Sequence, residues 1–284
     1  MNSICIKSNN PKILDDLAVR FSGFNDSNII FTQKSFKLYD NIIIHYKGQN
    51  IDSFYKLISS TLAEFVISFF EPILIRRMID SNYFYFSDND KNIIRDEFNL
   101  LKEKNIYDVK RSKKLIDSEF YCYLYSNHAL VLTGFVNFRL YKYINYLDKI
   151  LNEAVNQYVL DKEYISYVNL LQQYINSKQS SNEIINLIYI NSKGFLLSEN
   201  GEFIQLDDFN SSYVTDISFS QNDYVLNTLI GILPKQITLH LITPRDQFIK
   251  TIEMIFTDKV KICQGCELCQ AYRILGFNKW IFLL

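Results

Sequence analysis

Three consecutive stretches, Leu170-Leu-Gln-Gln-Tyr174, Lys178-Gln-Ser-Ser-Asn182 and Glu183-Ile-Ile-Asn-Leu-Ile-Tyr-Ile190, decide the fold, because the hydrophobic period changes across them. Ahead of the polar run, apolar side chains recur at three- and four-residue steps, the spacing of one helix face. Behind it comes a short run of Ile, Leu and Tyr, which reads as a strand. Lys178 to Asn182 lacks apolar residues and reads as a linker. The expectation is a helical domain over 51–177 followed by a C-terminal mixed α/β domain over 183–284.

Upstream, Phe54, Leu57, Ile58, Leu62, Phe65, Val66 and Phe69 form one apolar stripe, with Pro72 expected to kink or break that helix. Further helices are predicted over Asp90 to Lys104, Ser112 to Ser126, Phe135 to beyond Val159, and Lys162 to Asn176. No strictly polar linker separates them, so they are expected to pack as one central helical bundle. Residues 1–50 alternate and read as a small N-terminal α+β unit. Strands are predicted at Ile4 to Ile6, Ile29 to Phe31 and Asn41 to Tyr46. A helix is predicted from Pro11, with Asn10 as its cap and Gly23 as its end.

Downstream, Gly194 to Leu197 and Glu202 to Leu206 read as strands, with turns at Ser192-Lys193-Gly194 and Asn200-Gly201. A strand over Tyr213 to Phe219 and a helix from Asn222 to Ile232, closed by Pro234, are predicted next. A strand over Gln236 to Ile242, a helix over Asp246 to Phe256 and a short Val260 to Ile262 segment complete the region. The fold class expected is α+β.

The chain of 284 residues is 48% hydrophobic with a formal net charge of −1, which suits a folded core and gives no global field toward nucleic acid or an acidic membrane. Met1-Asn-Ser-Ile-Cys5 carries no basic segment followed by an apolar run, so no secretory signal is read there. Leu62 to Ile79 is apolar but broken by Glu64, Glu71, Pro72, Arg76 and Arg77, which predicts a core helix and no membrane span. The expected compartment is the cytoplasm, where clustered thiols are ligands or free thiols before they are disulfides.

Those thiols are Cys263-Gln-Gly-Cys266-Glu-Leu-Cys269, three of the five cysteines within seven positions. Metals need thiolates converging on a point, and a Cys-x2-Cys step provides that. A tetrahedral zinc site needs a fourth ligand, for which His240 is the candidate. A four-iron cluster needs a fourth thiolate, for which Cys5 or Cys122 would serve. The ferredoxin pattern places its fourth cysteine where Arg273 stands. The alternative is three small core residues on one helix, within an arc of about 120°. Zinc and iron–sulfur both stay open.

Other constellations are weaker. His45 reads as an edge or core histidine and His128 as a helix-end residue. No G-x-S-x-G, H-E-x-x-H or P-loop signature occurs, and no catalytic residue is assigned. The basic run, Lys102-Glu-Lys104 with Lys110-Arg111-Ser-Lys113-Lys114, could touch phosphates, but a solvated loop and helix start outweighs that reading in a neutral chain. Arg139 has two readings: a partner for Glu153 or Glu163, or a stem over the core with a wet head. The aromatic runs at Tyr83 to Phe86 and Phe120 to Tyr125 read as packing before they read as a binding platform. Tyr141, Tyr158 and Tyr167 are candidates for an exposed partner surface.

The runs Phe135-Val-Asn-Phe-Arg-Leu140 with Tyr143-Ile144, Asp161-Lys-Glu-Tyr164, Leu170-Leu-Gln-Gln-Tyr174, and Thr251-Ile-Glu-Met-Ile-Phe256 leading through Lys259 to Cys269 resemble the YtxC-like family, which is ascribed to sporulation in endospore-forming Firmicutes. The resemblance spans the chain and is densest from Phe135 to Cys269. It implies a role in spore formation and carries over no activity, substrate or functional residue. The reading is therefore a cytoplasmic, sporulation-associated interaction protein with a protein partner and a candidate structural metal site at Cys263, Cys266, Cys269 and His240. The alternatives are a metal- or redox-dependent enzyme using the cysteines and an RNA-binding accessory protein.

Overall fold

The computed structural model describes residues 2–24, 26–103, 109–205 and 220–276. The chain is α+β and divides into two compact units, Met1–Leu160 and Asp161–Leu284.

The first unit holds strand β1 (Asn2–Ser8), helix α1 (Pro11–Ser22), strands β2 (Ile29–Ser35) and β3 (Asp40–Tyr46), and helices α2 (Ile51–Phe65), α3 (Glu71–Asn82), α4 (Asp88–Glu103) and α5 (Val109–Ser126). Strand β4 (Ala129–Val131), helix α6 (Leu132–Arg139) and most of helix α7 (Tyr141–Ser177) follow. The sheet order is β2-β3-β1-β4, antiparallel except for the parallel β1–β4 pair. Alternation sends Ile4, Ile6, Ile42 and Ile44 to one face, where α1 covers them with Leu14, Leu17 and Phe21. Asn10 caps α1 by accepting the Lys12 N–H at 3.1 Å. The stripe on α2 is buried at Phe54, Ile58, Leu62 and Phe65 in the same core as the sheet. This shared core is why the compact unit extends past residue 50, where the sequence suggested a separate N-terminal unit.

Pro72 does not break the helix. Val66–Phe70 is a π turn in which the Glu71 N–H reaches back to the Val66 carbonyl, and Pro72 then sits in the first turn of α3. Proline removes one helical donor, and the wider turn absorbs the mismatch. Ile51–Asn82 is long and apolar enough to cross a membrane, but 61% of its apolar window is buried inside the fold. Glu71, only 3% exposed, accepts from Lys102 Nζ at 2.8 Å and from Tyr143 Oη at 2.5 Å.

The second unit begins within α7, earlier than the linker at 178–182. Tyr164, Val168, Leu171 and Ile175 lie at steps of four and three and pack into the C-terminal core. Asp161 and Lys162 are helical, so the two helices expected on either side of them are one. After the irregular 178–183 come β5 (Ile184–Ile190), β6 (Lys193–Leu197), α8 (Gln221–Ile232), β7 (Gln236–Leu241), α9 (Gln247–Phe256), β8 (Val260–Ile262) and α10 (Glu267–Gly276). The sheet order is β6-β5-β7-β8, with β5, β7 and β8 parallel and β6 antiparallel to β5. The β5–β6 turn falls on Asn191-Ser192, one residue earlier than expected. Both have positive φ, 51° and 61°, as a two-residue hairpin turn requires. The hairpin at Asn200-Gly201 forms, with an antiparallel bridge between Leu197 and Phe203. The strand expected over 213–219 and the residue Leu206 lie outside the described residues. One sheet face, with Ile185, Leu187, Tyr189, Ile237 and Leu239, packs against Val225 and Leu229 of α8 and Ile249, Ile252 and Phe256 of α9.

Candidate metal centre

The other face of this sheet carries the site. Register pairs Asn186 with Thr238 and Ile188 with His240, so those four side chains project to the same side. Strand β8 pairs with β7 through Ile262 opposite Leu239, and the Cys263 N–H continues the ladder by donating to the Leu239 carbonyl at 2.9 Å. That bond fixes Cys263 at the carboxyl end of the parallel strands, beside His240. Parallel sheets place ligands at this end because strands stop there and loops take over.

The chain then reverses. Gly265 has φ of +122°, a conformation that side-chain-bearing residues rarely adopt, and its N–H donates to Cys263 Sγ at 3.4 Å. The Cys266 carbonyl accepts from the Gln270 N–H at 3.1 Å, which starts α10 and places Cys269 in its first turn. Only one of the three cysteines lies within a helix, so the alternative of three core residues on one helical face does not describe them. Cys269 is 3% exposed and His240 is 3% exposed, while Cys263 and Cys266 are half-buried.

The four ligand atoms lie within 4.8 Å of one another. Cys269 Sγ is 3.8 Å from Cys263 Sγ and 3.9 Å from Cys266 Sγ. His240 Nδ1 is 3.3 Å from Cys269 Sγ and 3.4 Å from Cys266 Sγ. A tetrahedral ion with Zn–S of about 2.3 Å and Zn–N of about 2.0 Å separates two sulfurs by about 3.8 Å and a sulfur from a nitrogen by about 3.5 Å. Those four observed edges match such a tetrahedron, and the two remaining edges, both from Cys263, lie within 4.8 Å. In a four-iron cluster each thiolate binds a different iron, which spreads the sulfurs well beyond mutual contact.

The electrostatics suit a cation. The Gly265 N–H holds the Cys263 thiol below its ordinary range, stabilising a thiolate. Burial pushes Cys269 up to about 11, so a thiolate there needs a nearby positive charge. Burial also holds His240 down, which keeps the imidazole neutral and its lone pair available.

Asn186 and Ser198 are part of the site and went unread in the sequence. Asn186 Oδ1 lies 3.1 Å from His240 Nε2, and its Nδ2 donates to the Ser198 carbonyl at 3.1 Å. A lone Asn between Ile184-Ile185 and Leu187-Ile188 was the available signal.

The remaining candidates lie apart from this cluster in their roles. Cys5 on β1 and the exposed Cys122 on α5 belong to the first unit. His45 Nδ1 is 2.8 Å from Ser3 Oγ on the neighbouring strand. The His128 carbonyl accepts the Cys5 N–H at 2.7 Å. In the basic run, Lys102 pairs with Glu71, Lys113 with Glu64 at 2.6 Å, and the Arg111 guanidinium lies over the Tyr146 ring. Lys104 lies outside the described residues. Arg139 lies over the Tyr123 ring at 5.0 Å. Tyr141 and Tyr167 are exposed, whereas Tyr158 is buried with its hydroxyl on Asp90.

The profile of the YtxC-like family matches residues 56–261. The uncharacterised protein YtxC of Bacillus subtilis (strain 168) is 23% identical over 157 residues, covering 54% of this chain and 55% of that protein. The chain thus spans about half the length of the curated relative it matches. No solved structure matches the chain. The family match includes Asn186 and His240 and ends just before Cys263.

Proposed function

The chain belongs to the YtxC-like family, and we propose that it serves sporulation as a non-enzymatic interaction protein whose C-terminal unit is pinned by one structural zinc ion. The observation that carries this reading is the convergence of the Cys263, Cys266, Cys269 and His240 ligand atoms within 4.8 Å, four of their six separations being tetrahedral edge lengths. Three thiolates and one imidazole suit zinc, and four protein ligands close its coordination sphere, leaving no open position for a substrate. The ion would link β7, the end of β8 and the first turn of α10, elements that hydrogen bonds alone join sparsely. For interaction, the second unit offers Tyr167, Leu170 and Tyr174, all exposed along α7. They sit at steps of three and four and so form one stripe.

The redox-enzyme alternative requires a cluster or an open site, and sulfurs in mutual contact favour a single closed ion. The RNA-binding alternative requires a free basic surface, and the engagement of Lys102, Arg111 and Lys113 weakens it.

Deletion of the gene in an endospore-forming host tests the reading. Heat-resistant spore counts should fall, wild-type protein should restore them, and Cys263→Ser should not. A deletion strain that sporulates at the wild-type level contradicts the proposal.

A further inference from the structure

We infer that Asn186 is the positioning residue of this metal site, dictating that His240 binds through Nδ1 and coupling the β5–β6 hairpin to the ion. The inference rests on the metal reading above and goes beyond it. Its basis is a chain of hydrogen bonds in which each partner can play only one part. The Ser198 carbonyl only accepts, so the Asn186 atom 3.1 Å away is the amide nitrogen. The other end of the amide, facing His240 Nε2 at 3.1 Å, is therefore its oxygen. That oxygen also only accepts, so Nε2 carries the ring proton. A neutral imidazole protonated at Nε2 has its lone pair on Nδ1. Nδ1 is the atom that faces the Cys269 and Cys266 sulfurs, at 3.3 and 3.4 Å. Ligating histidines regularly donate their second ring N–H to an acceptor that fixes tautomer and orientation.

The topology makes this arrangement specific. Asn186 pairs with Leu197 across the hairpin, so Ser198 is the first residue past β6 and its carbonyl stands within reach of the amide. Ser198 also anchors the following turn, accepting the Gly201 N–H at 3.0 Å and donating its own N–H to the Glu202 carbonyl at 2.8 Å. The ion, the histidine, the amide and the hairpin end therefore form one continuous path. A neutral amide serves better here than a carboxylate, because three thiolates already outweigh the charge of a divalent ion. It can also donate to Ser198, which a carboxylate cannot.

The test uses the full chain loaded with zinc. A long-range proton–nitrogen correlation spectrum of the histidine rings should show His240 with metal-bound Nδ1 and protonated Nε2. Competition with a chromophoric chelator should then show Asn186→Leu binding zinc about 10- to 100-fold more weakly than wild type. Asn186→Asp, which keeps an acceptor for Nε2–H, should retain Nδ1 ligation and recover part of that loss. Nε2 ligation in the wild-type chain overturns the inference even if Asn186→Leu does not fold. Equal zinc affinity in wild type and a folded Asn186→Leu overturns it as well, and leaves the metal site standing. A wild-type chain that binds no zinc overturns the metal reading itself, and this inference with it.

Discussion

Tyr189 ties the C-terminal core together from inside the sheet. Its side chain is fully buried, and its hydroxyl donates to Asp246, whose other oxygen caps α9 by accepting the Ile249 N–H at 3.3 Å. Tyr189→Phe should cost about 1.5–3 kcal/mol in urea unfolding, the range for a hydrogen bond to a charged group. Burial, followed by the Asp246 carboxylate, pushes the Tyr189 hydroxyl up to about 12. A raised folded value means the contribution is complete below the unfolded value of about 10 and is lost as pH rises toward the folded one. Wild type should therefore lose stability between pH about 10 and about 12 more steeply than Tyr189→Phe. Parallel pH profiles would contradict this account. Glu71→Ala should cost more than about 1 kcal/mol in urea unfolding, since it removes the buried acceptor that Lys102 and Tyr143 share. At this scale the sequence was legible where chemistry is concentrated. Three cysteines in seven positions point to a ligand set, and His240 follows from the strand beside them. Asn186 stood out only as a lone polar residue in an apolar strand, and its role was illegible because its two partners lie 54 and 12 residues away and emerge only from strand register.

The Cys263–Cys266 turn is the element on which the metal account depends most. A Cβ at Gly265 would meet nothing within 4 Å, but its φ of +122° strains any other residue. Gly265→Ala therefore probes backbone geometry alone and should destabilise the turn by more than about 1 kcal/mol. Zinc affinity by chelator competition should fall by roughly a factor of five to ten for that energy. Unchanged affinity would mean that the turn does not set the ligand positions. Among the elements, strands with strong alternation and helices with polar caps were readable, as β1, β3, α1 and α9 show. Three features were not. Strand β4 is only three residues long and follows a helix, so it has no period of its own. The continuity of α7 through Asp161-Lys162 depends on cores on its flanks, not on local composition. The π turn before Pro72 keeps a helix where proline normally signals an end.

At the scale of the whole chain, the polar stretch 178–182 is irregular and exposed at Lys178, Gln179 and Asn182, which makes it the expected first site of limited proteolysis. Early cuts between Tyr143 and Tyr174 instead would contradict this. Removing the ion should loosen the last elements of the second unit, because β8 contributes only three paired residues and α10 packs on the site. Trypsin should then cut rapidly at Lys261 and Arg273 in chelator-treated protein and slowly in loaded protein. The period change suggested three parts, 1–50, 51–177 and 183–284, whereas the chain divides into two compact units between Leu160 and Asp161. The sequence marks where polarity peaks, whereas the compact unit begins where α7 first turns Tyr164 and Val168 toward the C-terminal core. The central proposal for the second unit is one zinc ion held by Cys263, Cys266, Cys269 and His240. The direct test is the metal content and visible spectrum of full-length protein purified without oxygen. The account predicts about one zinc per chain and a colourless solution. Less than about a tenth of an equivalent of any transition metal, or iron with visible thiolate-to-iron absorption, would contradict it.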